Sequence, residues 1–169
     1  MSLQQGLYAL INSAPEITGL LGIVGGSPPF FSVYHGDLRK GYILPAIKFS
    51  VVSSTPLVAN TGTANQNYER IQFDCIAAQY LDATSLKDAL KALLIDYVGT
   101  LAEGTTVYSS ILRMELDSPL EEGKGGYLFR SVLDIEFGYD SLGTDVLIPI
   151  PHVLLDIDDV GLPQFNSGN

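Results

Sequence analysis

Residues 68–98, YERIQFDCIAAQYLDATSLKDALKALLIDYV, decide the fold, because their hydrophobic period changes partway along. The first half alternates apolar and polar side chains and predicts a strand with one buried face. Its apolar residues are Ile71, Phe73 and Cys75, and its polar residues are Arg70, Gln72 and Asp74. The second half has leucines at steps of three and four, which is typical of a helix that packs across a sheet.

This predicted helix has an apolar stripe and a set of charged residues outside it. The stripe consists of Leu86, Ala89, Leu90, Leu93, Leu94, Tyr97 and Val98. The charged residues are Lys87, Asp88, Lys91 and Asp96. We expect Asp82 to cap the start of the helix and Gly99 to end it.

The residues before this stretch predict a helix and a strand. Residues 3–12 have helical spacing of their leucines, and a short second helical turn follows with Ser13 as its cap. Residues 46–55 alternate as a strand that Pro56 breaks. Residues 56–67 are small and polar and predict a flexible loop. Phe30, Val33 and Tyr34 indicate a further short strand.

A β-hairpin is predicted after the helix. YSSILRMELDSP, residues 108–119, forms one strand and YLFRSVLDIEFGY, residues 127–139, forms the other. LEEGKGG, residues 120–126, makes the turn, and Pro119 ends the first strand. The inward residues of the first strand are Leu112, Met114 and Leu116, and its outward residues are Arg113, Glu115 and Asp117.

The order helix, strand, strand, helix, strand, strand predicts an α+β domain over residues 1–140. We expect a mostly antiparallel sheet of about four strands with helices packed on one face. Residues 141–169 contain Pro149, Pro151 and Pro163 among apolar residues and have no lysine or arginine. Because prolines disrupt a regular helix, this segment is expected to be an extended C-terminal arm.

Composition indicates one folded domain with an acidic surface. The chain has 169 residues, 46% of them hydrophobic, which is enough for a sizeable core. Nine basic and 19 acidic residues give a formal net charge of −10. Tight binding of nucleic acid is therefore not expected. A negatively charged channel would instead let a polyanion slide through without sticking.

Cysteine usage and hydropathy point to a protein made in a reducing cytoplasm. Cys75 is the only cysteine, which excludes an intrachain disulfide. It lies on the apolar side of its strand, so we expect a buried, inert thiol. Residues 1–22 lack the pattern of a secretory signal, and no stretch reaches the roughly 20 apolar residues that span a bilayer.

Residue types used in catalysis and metal binding occur without the patterns that those functions need. His35 lies in a turn and His152 in the apolar arm, and neither is part of a nucleophile or zinc motif. EEGKGG lacks the spacing of a phosphate-binding loop. Two acidic groups could hold a hard cation, although a solvated patch is the favoured interpretation; they are Glu121 with Glu122, and Asp156 with Asp158 and Asp159. We therefore expect no enzyme activity, cofactor or metal.

The outward residues of the predicted strands carry charges of both signs. They are Arg70, Asp74, Arg113, Glu115, Arg130, Asp134 and Glu136. Two interpretations remain open. These residues form a solvated sheet face, or they form a subunit interface in which neighbouring copies pair their charges.

Several segments in this order are similar to one family of virion proteins. The segments are LYALINSAPEITGLLG, LPAIKFSVVSSTP, YERIQFDCIAAQYLDATSLKDALKALL and ILRMELDSPLEEGKGGYLFRSVLDIEFGY. Together they resemble the tail-completion or tail-terminator proteins of long-tailed bacteriophages, also called tail-to-head joining proteins. The resemblance covers residues 3 to 140 and rests on patterning, since none of these segments is a catalytic motif.

The resemblance implies a non-enzymatic protein of the virion neck. Members of the family form a ring, usually a hexamer, that caps the head-proximal end of the tail tube. The implied partners are other copies of the chain, the major tail tube protein and a head–tail connector or head-completion protein. DNA would pass through the lumen without specific binding, which suits the negative charge.

The resemblance implies contacts for the loops, and the arm, which lies beyond the resembling segments, is expected to make contacts as well. Loop contacts are expected at Glu121, Glu122 and Lys124. The arm is expected to lie on a neighbouring subunit or an adjoining ring and to bury Val146, Leu147, Ile148, Ile150, Val153, Leu154 and Leu155.

Two alternatives remain open. The first is another ring protein of the neck, such as a head-completion protein or a tube-like subunit. A tube-like subunit would need long strands and a hairpin that stacks ring on ring. The second is a small-molecule-binding domain with a pocket under residues 25–45, lined by Tyr34, His35, Asp37 and Arg39.

Overall fold

A computed structural model describes residues 3–25, 30–36, 42–59, 62–122 and 126–140. Its helices are α1 (Leu3–Ser13), α2 (Pro15–Thr18) and α3 (Tyr80–Leu94), with a 3-10 turn at Ala102–Gly104. Its strands are β1 (Ile23–Gly25), β2 (Phe30–Phe31), β3 (Val33–His35), β4 (Ala46–Ala59), β5 (Gly62–Ala77), β6 (Gly99–Thr100), β7 (Thr106–Glu122) and β8 (Gly126–Asp140).

The main sheet has six strands in the order β3-β4-β5-β8-β7-β6. β3 runs parallel to β4, and every other neighbouring pair is antiparallel. β1 and β2 form a separate two-stranded sheet. The expected α+β class is confirmed, and so is the β7–β8 hairpin. The expected number of strands is corrected, because the short strands β3 and β6 border the four long ones.

Both prolines that were expected to break strands lie inside strands. β4 continues beyond Pro56 to Ala59, and β5 begins at Gly62, so the loop predicted over residues 56–67 is wrong. β7 continues beyond Pro119 to Glu122. Among the residues that the structure describes, the strand has a neighbouring strand on only one side at the position of each proline. A proline without an N–H donor is tolerated at such an edge.

The two long hairpins project from opposite ends of the sheet. β5 pairs with β8 from Gln66, opposite Asp140, to Ala77, opposite Phe129. The start of β5 therefore extends beyond the end of β8, and the start of β8 extends beyond the end of β5. The β4–β5 turn lies at one end of the domain and the β7–β8 turn at the other.

The core lies between the helices and one face of the sheet. Phe73 on β5 packs between Phe49 on β4 and Phe137 on β8, with ring centroids 5.8 and 6.5 Å apart. Leu86, Leu90 and Leu94 of α3 are fully buried in the same cluster, as are Leu3, Leu7 and Ile11 of α1. The apolar faces predicted for strand and helix therefore meet.

Cys75 lies in this core and has no exposed surface. Burial raises the pKa of its thiol well above the ordinary range, and the neighbouring charge of Asp74 adds to this effect. The prediction of a buried thiol is confirmed.

The helix ends differ from those expected. α3 begins at Tyr80 with Gln79 as its cap residue, and Asp82 lies in the first turn, where a carboxylate favours the helix dipole. Ser13 does not cap α2, because its hydroxyl donates to the carbonyl of Leu10 at 2.8 Å. α3 ends at Leu94, and Asp96 adopts a left-handed conformation with φ 58°. Gly99 lies in β6.

A β-bulge in β7 reverses the faces predicted for its second half. Leu112 is opposite Ile135, but Met114 is opposite Asp134 and Glu115 opposite Leu133. The extra residue shifts the alternation by one, because successive side chains in a strand point to opposite faces. Glu115 and Asp117 therefore face the helices, while Met114 and Leu116 face away from them, contrary to the prediction.

Replacing Phe73 by alanine tests the core. Phe73→Ala leaves a cavity between two rings, and we expect the free energy of unfolding to fall by about 3–5 kcal/mol. Tyr127→Ala is the matched control, because Tyr127 is an aromatic residue that is 71% exposed; its effect should stay within about 0.5 kcal/mol. Urea denaturation followed by circular dichroism measures both. Similar losses in the two variants would contradict this position of the core.

Candidate interaction surface

The candidate surface is the outer face, the side of the main sheet that points away from the helices. Six of the seven predicted contact residues belong to it by strand alternation and by their partners; they are Arg70, Asp74, Arg113, Arg130, Asp134 and Glu136. They lie on three neighbouring strands, β5, β8 and β7. The predicted clustering of these charges on one face is thus observed for all but Glu115.

Arg70 and Asp134 form the closest ion pair of this face. The guanidinium donates two hydrogen bonds of 2.6 Å, from Nε to Oδ1 and from Nη2 to Oδ2. This bidentate geometry is the strongest that the two groups can adopt. The hydrogen bonds, followed by the charge of Asp134, raise the pKa of Arg70. Asp134 itself is only 2% exposed.

Glu136 and Asp74, the other predicted contact carboxylates of this face, also have partners in the same chain. Arg113 donates to Glu136 at 2.5 Å. Asp74 accepts a hydrogen bond from Gln72 at 2.8 Å and lies 3.9 Å from the ammonium of Lys48. These pairs join adjacent strands or neighbouring residues along one strand, so they stabilise the sheet from its own residues.

This pairing divides the predicted contact residues into two groups. Asp74 and Asp134 are 4% and 2% exposed, and a neighbouring subunit would meet little of either carboxylate. Arg70, Arg113 and Glu136 keep between about a quarter and a half of their side chains exposed. Contact with another copy stays a prediction for the whole set. Arg130 donates to the Ser118 hydroxyl, opposite it on β7, at 3.4 Å.

Glu115 belongs to a cluster on the helix side of the sheet. Its carboxylate lies 2.7 Å from the ammonium groups of both Lys87 and Lys91 of α3. Lys87 also lies 3.3 Å from Asp117 and is only 5% exposed, although the sequence placed it outside the apolar stripe. The hydrogen bonds from Lys87 and then Lys91 lower the pKa of Glu115. Burial alone would lower the pKa of Lys87, but its bonds with Glu115 and Asp117 together raise it.

Glu69 is a buried carboxylate that was not predicted from the sequence. It shares the inward face of β5 with Ile71 and is 5% exposed. It accepts hydrogen bonds from Gln4 of α1 and from the Tyr139 hydroxyl, the latter at 3.2 Å. Burial, followed by the charge of Glu69, raises the pKa of Tyr139 to about 12. Glu69 lies two residues before Ile71, and the alternation of side chains in a strand could therefore have predicted that its carboxylate points inward.

Exposed apolar side chains lie on both long edge strands. On β4 they are Val51, Val52 and Leu57, and on β7 they are Ile111, Met114 and Leu116. Residues 49–68, which include most of the β4–β5 hairpin, contain no charged side chain. An uncharged ribbon is notable in a chain with a net charge of −10.

A cavity of about 220 Å³ lies beside the start of α3. It is lined by Tyr80, Asp117, Ser118, Phe129 and Arg130, and the rings of Tyr80 and Phe129 meet edge to face at 5.9 Å. The cavity does not include Tyr34 or His35 of the small-molecule alternative. The ring of His35 packs edge to face on Phe49 at 5.2 Å, and Asp37 and Arg39 lie outside the described residues.

Several residues with a predicted role lie in segments that the structure does not describe. Lys124, His152 and the whole arm, residues 141–169, lie outside the described residues, including Val146, Leu147, Ile148, Ile150, Val153, Leu154 and Leu155 and the acidic group Asp156, Asp158 and Asp159. Glu121 and Glu122 are the last two residues of β7, and only their backbone is described. Within the described ranges, no group of histidine, cysteine and acidic residues could hold a metal ion. None of the helices in these ranges has the length and apolarity needed to cross a bilayer.

Comparison with known proteins gives a match in fold but not in sequence. No protein-family model matches the chain, and no curated protein matches it. A chain from a solved structure described as the virion of a native gene transfer agent (GTA) particle is similar, with a TM-score of 0.58 and 15% sequence identity. The match covers 83% of this chain and 96% of that chain. At this identity the likeness shows a shared fold.

Replacing Lys87 tests the cluster under α3. Lys87→Met keeps a long apolar stem but removes the charge between Glu115 and Asp117, and we expect the free energy of unfolding to fall by about 1–3 kcal/mol at pH 7. Lys91→Met is the matched control, because Lys91 is more exposed and shares only Glu115; a smaller loss is expected.

The same comparison at low pH checks the cause. The folded state lowers the pKa of Glu115, so its contribution is present above the ordinary value of 4.5 and is lost as the pH falls through the lowered pKa. The difference between wild type and Lys87→Met, measured by urea denaturation, should therefore shrink below about pH 4. A difference that is unchanged from pH 7 to pH 3 would point to lost packing rather than lost charge pairing.

Proposed function

We propose that this chain is a structural protein of a phage-like virion that forms a ring at the head-proximal end of a tail tube. The ring ends growth of the tube and offers a surface to the head connector. One observation carries the proposal: the fold matches nearly the whole of a chain from a gene transfer agent virion. The match covers 96% of that chain, so the GTA protein consists almost entirely of this fold.

The sequence supports the same assignment separately. The segments that resemble tail-terminator proteins run from residue 3 to residue 140, and the structural match covers 83% of this chain. The two lines of support use different information, because one compares residue patterns and the other compares backbone coordinates. On this proposal, residues 1–140 form the ring segment and residues 141–169 form a contact arm.

The described residues suit a rigid ring segment. The helices and three aromatic rings fill one side of the sheet, and ion pairs within the chain tie the strands together on the other. A subunit of a ring needs such stiffness, because small changes in its shape would change the closure of the ring. The partners on this proposal are other copies of the chain, the major tail tube protein and a head–tail connector or head-completion protein.

One observation favours a second candidate, a tube-like subunit of the same kind of particle. β4, β5, β7 and β8 have between 14 and 17 residues, well above the usual strand length of about 5–6 residues. The hairpins that they form project from both ends of the sheet. Long strands and projecting hairpins are the features that a stacking subunit would need.

An assembly experiment separates the two candidates. The purified protein is mixed with tail tubes built from the major tail tube protein, and the products are examined by negative-stain electron microscopy. A terminator gives one ring at one end of each tube and tubes of defined length. The protein forming long tubes by itself would favour the tube-like subunit, and tubes that grow unchecked in its presence would contradict the proposal.

Deleting residues 141–169 tests the contact arm. Burial of four or five apolar side chains of the arm would contribute on the order of 5 kcal/mol before the cost of ordering. We therefore expect the truncated chain to fold but to lose ring formation or attachment to tubes. Circular dichroism checks the fold, and mass photometry with microscopy checks assembly. Unchanged rings and unchanged capping would remove the arm from the interface.

A further inference from the structure

We propose that copies of this chain join through the two open edges of the main sheet. The free edge of β4 in one copy would pair antiparallel with the free edge of β7 in the next copy. This inference rests on the proposed ring and names its contact, which neither the fold match nor the sequence resemblance provides.

Both long edge strands are covered by a neighbour over only a short part of their length. β3 pairs with β4 from Ile47 to Phe49, and β6 pairs with β7 at Thr106 and Val107. On β7 the Asp96 N–H also donates to the Ser110 carbonyl at 3.2 Å, and Ser110 is 2% exposed. Within the described ranges, β4 beyond Phe49 and β7 beyond Ser110 have no further strand partner on their outer side. An open edge presents a row of backbone donors and acceptors that another strand can satisfy.

The strand directions fit a head-to-tail arrangement. β4 is antiparallel to β5, β5 to β8, and β8 to β7, so β4 and β7 run in opposite directions at the two edges. A copy rotated about an axis along the strands therefore brings its β4 beside β7 in antiparallel orientation. Head-to-tail contacts of this kind form closed rings when the rotation closes.

The open stretches overlap in height around one row of the sheet, beyond which β4 continues toward the β4–β5 turn and β7 toward the β7–β8 turn. Ser53 is opposite Arg70, Arg70 opposite Glu136, and Glu136 opposite Ile111, so one row crosses the sheet from the open part of β4 to the open part of β7. Copies can therefore pair residues 50–53 of β4 with residues 111–114 of β7 without a shift along the strand direction. A contact without such a shift favours a flat ring over a helical filament.

Charge explains why this surface suits a second copy of an acidic chain. Residues 50–57 on β4 contain no charged residue, and residues 111–114 on β7 contain only Arg113, so two chains of net charge −10 can approach there with little local repulsion. Edge strands that avoid pairing usually carry charges, above all lysine. Val52 and Ile111 are instead 49% and 47% exposed, and pairing of the edges would bury them.

A pair of engineered cysteines tests the contact. Ser53 and Ile111 lie at opposite edges of the four long strands, about 14 Å apart at the usual strand spacing of about 4.8 Å. A disulfide needs Cα atoms within about 7 Å. A cross-link in the double variant Ser53→Cys with Ile111→Cys must therefore join two chains, and the native Cys75 is buried.

We expect a ladder of covalent multimers when this variant is oxidised in the presence of tail tubes, with its highest band giving the number of subunits in the ring. Thr55→Cys with Ile111→Cys tests the register shifted by two residues. Leu81→Cys with Ile111→Cys is the control, because Leu81 is 71% exposed on α3, away from both edges; it should give no ladder.

A charge on the edge gives a second readout. Val52→Lys should weaken ring formation at least tenfold in protein concentration, while Leu81→Lys should leave it unchanged. Both side chains are exposed, so both variants should fold. Circular dichroism checks this, and mass photometry with electron microscopy measures the rings.

The outcomes separate this inference from the proposed function. Capped tubes without a ladder from either cysteine pair, together with normal assembly of Val52→Lys, would overturn the edge pairing alone. A ladder on tubes that grow unchecked would support the edge pairing and overturn the capping function. Cross-links from Ser53→Cys to Ile148→Cys in the arm, with none to Ile111→Cys, would show that the arm occupies the edge and would overturn the pairing of β4 with β7.

Discussion

The packing of Phe73 between Phe49 and Phe137 is the contact on which the rest of the structure depends. These rings lie on three adjacent strands, and each sits on the side of the sheet that α3 covers. A slip of one residue in any of the strands would turn its ring to the outer face, so the rings fix the register of β4, β5 and β8. That register in turn places Arg70 beside Asp134 on the outer face. The ion pairs thus follow from the core.

In β7, the next strand of the sheet, a bulge changes which side chains face the helices. Without it, Glu115 would lie on the outer face with Arg113, and Lys87 of α3 would be buried over Met114 and Leu116. With it, Lys87 meets two carboxylates in a nearly dry position, where an unpaired ammonium would be costly. The bulge also brings Met114 and Leu116 to the outer face of an edge strand. One extra residue therefore gives Lys87 of α3 its two carboxylate partners and places apolar side chains on the outer face of an edge strand.

The sequence predicted the central elements because their hydrophobic periods are clear. Ile71, Phe73 and Cys75, with Leu86, Leu90 and Leu94, have the positions expected of them, since burial of a whole face leaves a pattern along the chain. Strand ends were predicted poorly. Pro56 and Pro119 break a central strand but not an edge strand, and single-sequence patterns do not show which strand is at the edge. The bulge in β7 also left no sign, because Arg113 fits either alternation. The outward charges were recognised, but their partners across β5 and β8 depend on the register between strands.

The location of the negative charge limits how the chain could line a channel for DNA. On the outer face, Asp74, Asp134 and Glu136 each have a cationic partner close by, and a paired carboxylate contributes little to the field at a distance. Residues 141–169 hold four of the 19 acidic residues and none of the nine basic ones. The arm therefore carries a formal charge of −4 and residues 1–140 carry −6, to which the paired carboxylates of the outer face contribute little at a distance. If the proposed ring surrounds DNA, the sheet gives the ring its stiffness, and the arm adds negative charge to that of residues 1–140.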